Sequence, residues 1–64
     1  MKKQLETLTI ENIKPYAMTV RQKDYPEYGN WGITKDGEFY GVRNDRGSRV
    51  LFESEFNLWE IVSK

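Results

Sequence analysis

Read as a string of apolar and polar positions, the chain alternates in short runs separated by turn residues. "YAMTVR" predicts a first strand, with Ala17 or Met18 and Val20 directed to the core. Residues 22–30, "QKDYPEYGN", are polar, hold Pro26 and Gly29, and read as a long loop. "WGIT" predicts a second strand. Asp36-Gly37 then predicts a two-residue hairpin turn with positive φ at both positions. That turn pairs Thr34 with Phe39, Ile33 with Tyr40, Gly32 with Gly41 and Trp31 with Val42. "DRG", with Gly47 as its left-handed residue, predicts a three-residue loop pairing Asn44 with Ser48, Val42 with Val50 and Tyr40 with Phe52.

The two registers reinforce each other. Together they collect Trp31, Ile33, Tyr40, Val42, Val50 and Phe52 on one face, which a one-residue slip would scatter. The competing register, a bulged first turn, brings Phe39 inward and leaves Arg43 facing the core. The outer face carries Gly32, Thr34, Phe39, Gly41, Arg43, Arg49 and Leu51, with Arg46 at the turn tip. Arg43 and Arg49 then stand opposed, a like-charge arrangement that sheets ordinarily avoid.

"ESEF" predicts one turn of 3₁₀ helix and "LWEIVS" the last strand. In that strand Trp59 and Ile61 share one face, Leu58 and Val62 the other; both faces are apolar, so the strand is either covered on both sides, with the N-terminal arm as one cover, or meets a partner. Residues 1–12 form the least committed stretch. Leu5, Leu8 and Ile10 fit no single helical stripe, and the segment is expected to be a partly flexible arm, with residues 1–6 a frayed start or one helical turn leading into an extended segment. The pattern therefore predicts an all-β domain at residues 13–64. It consists of five antiparallel strands in a small barrel, with a 3₁₀ turn before the last strand. Its core is about ten large apolar side chains, each contributing roughly 1.5–3 kcal/mol.

The order of these elements resembles the SH3-like small barrels over residues 13–62. It does so through "IKPYAMTVRQKDYPEYGNWG" as first strand and long loop, and "RVLFESEFNLWEIV" as strand, 3₁₀ turn and strand. Such barrels occur among translation-associated domains and small phage or prophage proteins. In peptide-binding SH3 domains aromatic residues form slots for a proline-rich helix. The resemblance puts Tyr25, Tyr28 and Phe56 at corresponding places, while the aromatic-acidic opening motif is missing from "YAMTVRQ".

Composition narrows the function. The 64 residues contain no cysteine and no histidine, which removes disulfides, thiolate ligands and the common zinc sets. No serine, lysine or threonine constellation suggests nucleophilic catalysis. Glu53 and Glu55 lack an enclosed site that would tune a carboxylate, so no enzyme, metal or cofactor is expected. "MKKQLETLTI" has no long apolar run behind its basic start, so neither signal peptide nor membrane span is expected. With no cysteine either, a cytoplasmic setting is expected.

Ten basic residues balance ten acidic ones, so a charge-driven partner must be met by a local patch. Three patches qualify: the Tyr25/Tyr28 loop with Phe56; the face of Phe39, Arg43, Arg46 and Arg49; and Glu53, Glu55 and Glu60 among Phe56, Leu58 and Trp59. Each has a plain structural counterpart: a capped barrel end, arginines neutralised by neighbouring carboxylates, and a solvated turn. The reading that follows is a small adaptor or inhibitor working through a protein surface. The alternative is single-stranded nucleic acid bound through Arg43, Arg46 and Arg49. Zero net charge favours the protein partner, since nonspecific nucleic-acid binders draw their affinity from a basic excess.

Overall fold

The computed structural model describes residues 5–64. The start of the expected frayed arm, residues 1–4, lies outside them. Five strands form one antiparallel sheet: β1 Thr19–Gln22, β2 Asn30–Asp36, β3 Phe39–Asn44, β4 Gly47–Leu51 and β5 Trp59–Ser63. A short 3₁₀ turn, Pro26–Tyr28, interrupts the β1–β2 loop, and a longer 3₁₀ segment, Glu53–Leu58, precedes β5. The sheet order is β4-β3-β2-β1-β5. This is the element order the SH3-like resemblance implies. The sheet is not closed: β4 and β5 are its two edges, and the second 3₁₀ segment spans between them.

The β2–β3 hairpin keeps its predicted faces and shifts its turn. Asp36 pairs with Phe39, Lys35 with Tyr40, Thr34 with Gly41 and Ile33 with Val42. The turn residues are therefore Gly37 and Glu38, not Asp36 and Gly37. Gly37 has φ 62°, and neither Asp36 nor Glu38 is in the positive-φ region, the sign pattern of a type II′ turn. The physical reason is steric. The predicted turn demanded positive φ at an aspartate as well, and this one places it on glycine alone. The shift moves the pairing by two residues, so Ile33 and Val42 still face the core.

The second hairpin departs further. Arg43 pairs with Ser48, Val42 with Arg49, Gly41 with Val50 and Tyr40 with Leu51. Its turn has two residues, Asp45 and Arg46, while Gly47 opens β4 at φ 149°. Asn44 holds the turn shut by accepting the Arg46 backbone N–H on Oδ1 at 2.9 Å. This Asx contact lies inside a turn closed by the Asn44–Gly47 pair, one residue shorter than the predicted loop. One residue of slip turns β4 over. Leu51, expected outside, is 3% exposed, while Val50 and Phe52, expected inside, are 50% and 55% exposed. Phe39 stays outside at 63%, so the bulged-turn alternative does not occur.

The core is built from Val20, Met18, Ile33, Val42 and Leu51 of the sheet region, with Trp59 and Ile61 from β5 and Phe56 from the second 3₁₀ segment. Trp31 and Tyr40 pack at its margin. β1 begins later than predicted. Tyr16 adopts a positive φ of 64°, held by its N–H on the Ile33 carbonyl (2.7 Å) and its hydroxyl on the Lys35 carbonyl (2.9 Å). Leu58 is exposed and Val62 half-buried, whereas Trp59 and Ile61 point inward.

Residues 6–8 run along β5. The Leu8 N–H donates to the Trp59 carbonyl (3.0 Å) and the Ile61 N–H to the Glu6 carbonyl (2.7 Å), while Thr7 bridges Glu60. Leu8 and Ile13 join the core. Asn12 organises this stretch. Its Oδ1 accepts the Thr9 N–H at 2.8 Å, and its amide donates to the Thr7 carbonyl at 2.9 Å.

Candidate anion-binding site

The reversal of β4 separates the arginines. Arg43 pairs with Ser48 and projects on the outer face; Arg49 pairs with Val42 and projects on the opposite one. The like-charge opposition predicted from the sequence does not exist. Gly41 pairs with Thr34 and Gly32 with Arg43, so the two glycines do not oppose each other; a groove of about 400 Å³ runs over Gly41 beside Phe39, Val50 and Arg49. Arg43 lies on a wide groove of about 530 Å³ that includes Thr19, Thr34 and Lys64. The Lys64 ammonium is already committed to Glu6 at 2.8 Å.

Arg46 and Arg49 meet at the other side of the β3–β4 tip. With Tyr28, Trp31 and Asn44 they line a shallow cavity of about 250 Å³. Three elements converge to build it. The Pro26–Tyr28 turn brings Tyr28 to the rim, stacked on Tyr25 with centroids 5.5 Å apart and rings 18° from parallel. β2 supplies Trp31, fixed edge-on against Trp59 at 6.0 Å. The β3–β4 hairpin supplies Asn44, Arg46 and Arg49.

The polar groups of this cavity donate. Among the described residues, neither Arg46 nor Arg49 forms a salt bridge. Asn44 has its oxygen engaged by the Arg46 N–H, which leaves its amide hydrogens to donate outward. The Trp31 indole N–H is buried without a protein partner, as is the Gln22 Oε1. An unpaired buried polar group of this kind costs on the order of 1–3 kcal/mol. Two guanidinium forks beside aromatic walls suit a carboxylate or phosphate held bidentately, with an apolar or planar group against the rings.

The other predicted site residues are dispersed. Phe56, expected beside Tyr25 and Tyr28 in a slot, is buried and packs edge-on against Tyr40 at 5.6 Å, so it offers no surface. It joins the core from the second 3₁₀ segment. Phe39 is exposed on the outer face, where it lines a groove with Gly41, Val50 and Arg49, and it takes no part in the Tyr28–Trp31 cavity. Of the acidic patch, Glu60 is bound by Arg21 through Nη2 at 2.7 Å and Nε at 3.0 Å. Glu53 and Glu55 sit in the first turn of the second 3₁₀ segment. Among the described residues no three carboxylates come together as metal ligands.

Trp31 and Asn44 are the site residues that the sequence reading missed. The charge clash between Arg43 and Arg49 was the available signal: the register that relieves it is the one that places Arg49 beside Trp31. No protein-family model, curated protein or solved structure matches this chain.

Proposed function

We propose that this chain is a non-enzymatic binding module, an SH3-like adaptor or inhibitor that grips an acidic segment of a protein partner at the Arg46–Arg49 cavity. One observation carries the reading: two arginines without ion-pair partners among the described residues flank exposed aromatic surface in one cavity, and its charged groups are both donors. An acidic side chain brought there forms charge-assisted hydrogen bonds, and its apolar neighbours cover Tyr28 and Trp31. The zero net charge supports a local reader of carboxylates over a general binder of polyanions. The same reading makes it a cytoplasmic protein of the kind small phages and prophages encode. The absence of cysteine and the SH3-like order of elements support that reading.

The Tyr25–Tyr28 stack favours a second reading, single-stranded RNA or DNA whose bases continue the stack while phosphates meet Arg46 and Arg49. Titrations of a labelled acidic peptide and a labelled oligonucleotide at two salt concentrations separate the two. The proposal expects tighter binding of the peptide at physiological salt. Tighter binding of the oligonucleotide, with the steeper salt dependence of phosphate contacts, overturns it in favour of the nucleic acid.

A further inference from the structure

The two edges of the sheet are treated differently. Residues 6–8 cover β5 with backbone hydrogen bonds. β4 has no such cover: among the described residues, no backbone hydrogen bond outside strand pairing reaches Gly47–Leu51. In an edge strand every second residue turns its N–H and C=O away from its neighbour, forming a row ready to pair with another strand. Chains commonly blunt such edges with proline, lysine or bulges. "GSRVL" has neither proline nor lysine, and its pairing with β3 is unbroken.

The side chains along this edge divide by face. Val50 and Phe52 are exposed on the outer side, next to Phe39. Arg49 lies on the other side, with Arg46 at the tip. The edge is also polarised along its length. Its start, at the turn, carries Arg46 and Arg49; past its end, Glu53 and Glu38 flank Phe52 and Phe39.

We propose that the β4 edge takes an extended segment of a protein partner as a sixth, antiparallel strand. The segment is apolar on one face and acidic on the other, with its acidic residues toward its C-terminal end. The inference rests on the arginine site proposed above and adds a backbone mode and a direction. An antiparallel strand beginning beside Leu51 ends beside Gly47, which brings its C-terminal residues to Arg46 and Arg49. Its apolar side chains then meet Val50 and Phe52. A second copy of this chain is disfavoured on the same edge, because two-fold antiparallel pairing of β4 with itself draws Arg49 toward Arg49.

The test uses a labelled peptide of about seven residues, Lys-Val-Thr-Val-Glu-Val-Glu, the length of an ordinary strand. Two variants carry backbone N-methyl groups at alternate residues, in opposite phase, and a third has the order of residues reversed. The expected result is that one methylation phase weakens binding by about tenfold or more, through lost ladder hydrogen bonds, while the other stays within about twofold. The reversed peptide should bind several-fold more weakly, and amide exchange within Gly47–Leu51 should slow on binding. If the parent peptide binds and Arg46→Ala and Arg49→Ala weaken it, yet both methylation phases bind equally and β4 exchange is unchanged, the edge proposal fails while the arginine site stands. If neither this peptide nor an acidic peptide of another sequence binds, both are overturned.

Discussion

Val50 and Leu51 are neighbours in the chain and opposites in the fold, one half-exposed and one buried. The distinction has an energetic reading. Val42 is fully buried against Ile33 and the sheet core, so Val42→Ala should destabilise by about 1–3 kcal/mol through lost burial and a small cavity. Val50→Ala should stay within about 0.5 kcal/mol, as surface changes do. Denaturant titration of the two variants checks both, and equal losses would return Val50 to the core. Glu6 is the residue with a directional response to pH. The Lys64 hydrogen bond, then that of Asn12, then the Lys64 charge hold its carboxyl below the usual glutamate value. A lowered folded-state pKa contributes stability above the unfolded value, near 4.3, which is lost as pH falls through the folded one. Glu6 is exposed, so the effect is small. Melting curves from neutral pH downward should show wild type losing slightly more stability than Glu6→Gln below about pH 4.3. Parallel curves would remove the Glu6–Lys64 contact from the stability of the N-terminal stretch.

At the scale of elements, the hairpins show what a sequence pattern fixes. Face assignment of β2 and β3 was legible, because Ile33 and Val42 keep their side of the sheet under an even shift of register. β4 was not legible from apolarity alone. "VLF" offers an apolar residue to either face, so parity rested on the length of the turn, which has two residues with Asn44 bonded across it to the Arg46 N–H. Residues 6–8 were readable as an extended segment able to cover the last strand, but not as a partner of its edge. Their strand-like pairing is with β5 at the far end of the chain, and no local periodicity encodes a partner so distant. The turns are open to test. Gly37→Val should cost on the order of 1 kcal/mol or more, since φ 62° places Cβ against the backbone. Asn44→Ala should lose about 0.5–1.5 kcal/mol with its hydrogen bond to Arg46. Urea titration reads both, and an unaffected Asn44→Ala would show that the backbone closes the turn unaided.

For the molecule as a whole, the open sheet sets what the surface can do. One edge is covered by residues 6–8 of the chain itself, and Phe56 joins the core from the second 3₁₀ segment. What remains exposed is the β4 edge with two arginines at one end and apolar side chains on its outer face. The 3₁₀ turn before the last strand, and the strand count, were readable from turn residues and alternation. The position of the proposed binding surface was not, because it depends on which face Arg49 takes. That dependence makes the comparison of single arginines decisive. The affinity of one labelled acidic peptide should be measured against Arg49→Ala and Arg43→Ala, at the same salt and with both variants confirmed folded. Arg49→Ala should weaken binding by about tenfold, the scale of one lost charge-assisted contact, and Arg43→Ala, on the opposite face, should change it by less than about twofold. Equal losses in the two variants, or a greater loss at Arg43, would contradict the proposed site.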